Sequence, residues 1–191
     1  FTLMRGAYPR LAVHVRFSAD PLGGLLDDVD VAVHFGARSP PGPWVVHDLL
    51  TVPEHLIAHV DYLAQHGAPR TLAELSSHPL FSWAAPGEDP AAWPLRDGGT
   101  VPVEPALITA DIHFVRQCVI AGLGLALLPD ALLPDPGVAP DAIVPVMPEL
   151  VGRERPLRLV VPRVLADVPK VRALLRHVQE FTAPLRSASA G

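Results

Sequence analysis

The chain has 191 residues, about half of them hydrophobic, with 20 acidic side chains against 15 basic ones and a net charge of −5. That length suits one ordinary domain or two small lobes, and the apolar content supplies a core and excludes a disordered chain. Lys170 is the only lysine and the arginines are scattered, which excludes a nucleic-acid surface built on a clustered basic patch.

In chain order, Phe1 to Ala7 reads as a short helix, closed by Tyr8-Pro9. Leu11, Val13, Val15 and Phe17 alternate with polar or small residues, the period of a strand with one buried face. A turn at Asp20-Pro21 and a short helix from Leu22 to Asp27 follow. "DVAVHFG", Asp30 to Gly36, reads as a buried strand of the parallel type, and "SPPGP", Ser39 to Pro43, as loop. A strand is predicted from Leu56 to Val60, then a turn of helix from Asp61 to His66 that Gly67 ends. Thr71 and Glu74 have capping-box spacing ahead of a helix from Leu72 to Ser77. "LFSW", Leu80 to Trp83, is a strand candidate, Ala84 to Pro94 is irregular, and "RDGGT" turns the chain between two short strands. Asp111 is a candidate N-cap for a helix with Phe114, Val115, Cys118 and Val119 on its apolar side. "LALLP" is then a strand, with further strands at Ile143 to Val146 and Leu157 to Val161. Asp167 and Pro169 open a last helix whose apolar stripe is Val171, Leu174, Leu175, Val178 and Phe181. This alternation predicts an α/β fold with mostly parallel sheets.

The longest apolar run, Val119 to Pro129, is interrupted by two glycines and is too short for a membrane helix. Within it "AGLGLALLP" has the look of a nucleotide loop, but the order is wrong. A dinucleotide loop runs strand, glycines, helix, whereas here a helix runs into Gly122 and a strand follows Gly124. The glycines therefore sit at a helix C-terminus, where the dipole repels phosphate, and they read as a tight turn. The single Cys118 excludes an intrachain disulfide. The N-terminus has no basic region followed by an apolar core, and Phe1 in place of Met leads us to expect more chain upstream.

"DVAVHFG", "VDYLAQHGAPRTLAEL", "TADIHFVRQCVIAGLGLALLP" and "PKVRALLRHV" occur in this order and cover nearly the whole chain. Together they resemble the effector-binding domain of LysR-type transcriptional regulators. The resemblance implies two Rossmann-like lobes of the type 2 periplasmic-binding-protein kind, joined by two crossover strands, with a small-molecule cleft between them. Lobe one would be residues 1–57 and 160–191, and lobe two residues 58–159. It also implies a homodimer, a tetramer in the full-length protein, a cytoplasmic location, and DNA binding only through a helix-turn-helix that this chain does not contain. That domain, its linker helix and the first strand of lobe one are expected to lie outside the sequence. His34 stands where the family commonly has Arg, and His59 and Val60 stand before Tyr62 where it has a small residue and Pro.

Ligands in open α/β sheets bind at the carboxyl ends of strands and at helix N-termini. That selects Ser18 and Asp20, then His34, Phe35 and Gly36, then Asp111, Ile112 and His113, with Ala58, His59 and Ser82 on the facing wall. Asp111 serves equally well as a plain cap, and His34 as a partly buried histidine. His55 and His59 follow Glu54, but the His-Glu-x-x-His order is not met and the segment reads as strand, so no metal is expected. No G-x-S-x-G, phosphate loop or Cys/His signature appears, so neither an enzyme nor a cofactor is expected. The expected function is sensing of a small organic effector, anions among the candidates, with no membrane partner. The alternative is the solute-binding module of a transporter.

Overall fold

The computed structural model describes residues 2–18, 20–23, 25, 29–36, 42–129, 137–139 and 141–188. In chain order they form α1 (Thr2–Ala7), β1 (Ala32–Phe35), β2 (Trp44–His59), α2 (Val60–His66), a 3-10 helix (Leu72–Ser77), β3 (Leu80–Trp83), β4 (Ala92–Pro94), β5 (Thr100–Pro102) and β6 (Leu107–Thr109). Then come α3 (Ile112–Ile120), β7 (Leu125–Pro129), β8 (Ile143–Pro145), β9 (Gly152–Pro162), a second 3-10 helix (Arg163–Leu165) and α4 (Pro169–Ala188). The chain divides into two compact units, Phe1–Thr51 with Pro156–Gly191, and Val52–Arg155. It passes between them twice, once within β2 and once within β9.

In the first unit β1 pairs antiparallel with β9, from Ala32 opposite Val160 to Phe35 opposite Leu157. Leu25, Ala32 and Val160 form its apolar centre, with Val29, Trp44 and Val46 packed against them. α4 buries Val171, Ala173, Leu175 and Thr182. The Tyr8 ring meets His177 of α4 edge-on, 5.6 Å between centroids.

The second unit is built on a mixed sheet. β3, β6 and β7 run parallel, while β2 runs antiparallel to β7 and β8 antiparallel to β2. Successive strand residues face opposite sides, so the sheet carries two cores. Leu56, Ala58, Leu80, Leu125 and Leu127 point to one, with Tyr62, Leu75 and Trp93. Ile57, Phe81, Ala126 and Leu128 point to the other, which α3 covers with Val115 and Val119. β7 is thus apolar at every position because it is buried on both faces.

Several expectations change. The sheet is mixed rather than mostly parallel, and β1 is antiparallel, because its neighbour is the returning crossover strand β9. Leu11 to Phe17 is not a strand: Val15 is 71% and Phe17 85% exposed, and no described strand ladders onto it. Alternation marks a strand only where a neighbour completes the hydrogen bonds. One 16-residue strand replaces the short one expected at Leu56 to Val60, with Val60 already helical. Phe114 and Phe181 lie more than half exposed rather than in their helices' buried stripes. Thr71 gives no side-chain cap; instead Glu74 accepts from the Arg70 amide and the Thr71 hydroxyl, and the helix is 3-10. Half of the expected helix from Leu22 to Asp27, and residues 39–41 of the loop at Ser39 to Pro43, fall outside the described residues.

Candidate functional site

In the first unit Ser18 and Asp20 sit in a tight polar turn. The Ser18 hydroxyl accepts from the Asp20 amide at 3.1 Å, and the Asp20 carboxylate accepts from the amides of Leu22 and Gly23. Both line a cavity of about 310 Å³ with Arg16, Phe17, Val31 and Val33. His34 and Phe35 finish β1 and Gly36 follows it, and none of the three is among the described residues lining that cavity. The Gly36 amide donates to the Pro156 carbonyl at 3.1 Å, and Phe35 is half-buried. His34 is 6% exposed, with Nδ1 3.3 Å from the Phe35 carbonyl and no partner for Nε2 among the described residues. Burial, with Arg158 nearby, pushes its pKa below the ordinary 6.5 against the Phe35 bond.

In the second unit the parallel strands β3 and β6 end side by side, Trp83 opposite Thr109. Thr109 leads straight into Asp111, which caps α3. Its Oδ1 accepts from the amides of His113, at 2.9 Å, and Phe114, at 3.1 Å. Asp111 and His113 are exposed, and Ile112 is half-buried against the α3 core. Ser82 lies on the same strand end but is buried, its hydroxyl accepting from the Trp93 indole at 2.9 Å.

Ala58 and His59 lie elsewhere. β2 runs against β7, so the end of β2 meets the start of β7, whereas Trp83 and Asp111 stand at the other edge. Five residues of strand, about 13 Å, separate the two edges. Ala58 is fully buried, and His59 caps α2, Nδ1 accepting from the Asp61 amide at 3.1 Å. Asp111, Ile112 and His113 therefore stand at an end that Ala58 and His59 do not, and Ser82, opposite Leu127 of β7, lies between the two. His55, four residues before His59, has Nδ1 3.3 Å from the Arg96 guanidinium. Among the described residues no group of three His, Cys, Asp or Glu could hold a metal ion.

At the Trp83 edge the structure assembles a charged cluster that the sequence did not announce. Glu54 of β2 is 2% exposed and takes Arg153 Nε at 2.9 Å and Arg155 at 2.8 Å, both from β9. Arg155 is 3% exposed, and its other edge grips Glu88 twice, at 3.1 and 2.8 Å. Arg153 also donates to Glu88. The Arg155 guanidinium stacks 5.2 Å from the Trp83 ring centre, and the Trp83 indole N–H donates to the Ala110 carbonyl, one residue before the α3 cap. Burial raises the Glu88 pKa, but Arg155 and then Arg153 outweigh it and hold the carboxyl below its ordinary value. Burial likewise lowers Arg153, and Glu54 and Glu88 reverse the sign. The signal in the sequence is faint: Arg153 and Arg155 are two apart on a strand, so they share a face. Their partner Glu54 is about 100 residues away and sits in an apolar run.

The chain matches the family described as LysR substrate binding domain over residues 2–183. The HTH-type transcriptional regulator CrgA of Neisseria meningitidis serogroup C is 26% identical over 144 residues, 74% of this chain and 47% of that protein. The chain thus spans about half the length of the curated relatives it matches. The CrgA regulatory domain superposes with a TM-score of 0.78 at 21% identity, over 95% of this chain and 89% of that one. Full-length AphB, a virulence activator of Vibrio cholerae, gives 0.71 at 22% identity, over 95% and 62%. The fold is α/β with a mixed sheet, of the type 2 periplasmic-binding-protein kind found in LysR regulatory domains. By the match over residues 2–183, the chain belongs to the LysR substrate binding domain family.

Proposed function

We propose that the chain is the effector-sensing domain of a LysR-type transcriptional regulator. It binds a small organic molecule, and differential affinity of that molecule for two states of the regulator sets its activity on DNA. DNA is contacted through a segment outside this sequence, the regulator works as a homodimer in the cytoplasm, and the domain itself turns nothing over. The observation that carries the reading is the family match over residues 2–183, on a fold shared with the CrgA regulatory domain. A transporter module is not favoured, since the matched relatives are transcriptional regulators. Among the described residues no helix is long and apolar enough to cross a membrane.

Two places are proposed to meet the ligand. One is the cavity beside Ser18 and Asp20, with His34, Phe35 and Gly36 on the adjoining strand end. The other is the start of α3 at Asp111, Ile112 and His113, where the positive dipole end suits an anion; Ser82 lies on β3, its side chain turned to the Trp93 face of the sheet. Ala58 and His59 support the sheet at its far edge. The test is operator binding by the longer protein, encoded with its upstream sequence, across a panel of small metabolites. A ligand-dependent change in operator affinity is expected, and operator binding indifferent to every ligand that stabilises the domain would overturn the reading.

A further inference from the structure

Within the cluster at the Trp83 edge the two carboxylates are not equivalent. Glu54 lies on β2 and is 2% exposed, while Glu88 rides on the irregular stretch between β3 and β4 and is 31% exposed. Arg155 presents Nη1 and Nη2 to the two Glu88 oxygens, the parallel two-point grip that recognises a carboxylate. Arg153 adds a third donor to the same group. With both glutamates in place the cluster is neutral. With Glu88 withdrawn, two guanidiniums share one buried carboxylate and the site carries a net charge of +1, with Arg155 buried beside the Trp83 ring.

We propose that Arg153 and Arg155 form a binding site for a small carboxylate, and that Glu88 occupies it as a built-in ligand which the carboxylate displaces. Glu54 is the fixed counter-ion that keeps both guanidiniums aimed. Trp83, stacked on Arg155 and tied to the Ala110 carbonyl, connects the exchange to the start of α3. The site lies wholly within residues 52–155. It deepens the sensing function and rests on it only for the use the cell makes of the exchange.

The test is to titrate the folded protein with acetate at constant ionic strength, following the arginine Nε–H resonances by NMR, with acetamide as the neutral control. Acetate is expected to move Arg155 and Arg153 saturably in the wild type and to bind Glu88→Ala about tenfold tighter, as for a site covered about nine-tenths of the time. If Glu88→Ala fails to fold, Glu88→Gln, which weakens the built-in ligand without removing it, is expected to tighten binding in the same direction. A wild type unmoved by acetate that saturates the variant, equal affinities in the two, or an equal response to acetamide would overturn the site. A metabolite that stabilises the domain yet leaves Arg155 unmoved would keep the sensing function and overturn this site. Acetate exchange at Arg155, with operator binding indifferent to every metabolite, would do the reverse.

Discussion

A Cβ placed on Gly152 would stand 2.1 Å from the carbonyl oxygen of Glu54. Gly152 also holds φ at +122°, where L side chains are strained. β9 therefore approaches β2 closely enough for Arg153 and Arg155 to reach Glu54 only because residue 152 has no side chain. Gly152→Ala is expected to destabilise the domain by about 3 kcal/mol, against about 1 kcal/mol for Gly98→Ala, whose added Cβ meets nothing. Urea unfolding of both variants checks the contrast.

The Glu54–Arg155 pair is buried on both sides, so removing either partner strands a charge. Arg155→Met and Glu54→Leu are each expected to cost about 3–5 kcal/mol, while the double variant recovers much of that loss, because Arg153 and Glu88 still balance. A double-mutant cycle in denaturant measures it. Additive losses would mean the two residues are not coupled.

Asp111 has two separable tasks. Asp111→Asn keeps an oxygen for the amides of His113 and Phe114 and is expected to leave stability within about 0.5 kcal/mol, whereas Asp111→Ala costs about 1 kcal/mol. If α3 also meets the ligand, Asp111→Asn alters ligand affinity at unchanged stability. Calorimetry on both variants separates the two roles.

His34 and His78 are both held below their ordinary 6.5, burial being the largest cause for each. A histidine depressed in the folded state binds fewer protons than the unfolded chain between its folded value and 6.5. Stability is therefore full above pH 6.5 and falls as pH drops below it. His34→Leu is expected to flatten part of that slope. The depressed Glu88 contributes above its ordinary 4.5 and loses its contribution as pH falls further, a separate and more acidic step. Chemical denaturation from about pH 8 down to about pH 2 resolves the two.

The local signals served the helix that starts at Asp111 well. Asp111 caps α3, the helix ends at Ile120, and Gly122 takes φ +68° just beyond it, as the reversed order of helix, glycines and strand implied. Gly124 has a different reason for being glycine, since a Cβ there would stand 2.3 Å from the Pro79 carbonyl oxygen. That contact comes from the residue just before β3 and leaves no local trace. The same holds for the direction of β1, for the lack of any described strand laddering onto Leu11 to Phe17, and for the Glu54–Arg155 cluster. Each depends on a partner far away in sequence, and alternation or charge read along the chain carries no register. The separation of Ala58 and His59 from Asp111 follows from the antiparallel β2–β7 register in the same way.

The sensing assignment is tested most directly by thermal stabilisation of this domain across a panel of small organic acids and their neutral amides, with each hit mapped by amide NMR. The account predicts at least one saturable ligand whose shifts include Asp111 to His113 or Ser18 and Asp20. A panel without a binder, or binders whose shifts avoid both places and the Arg153–Arg155 cluster, would contradict it.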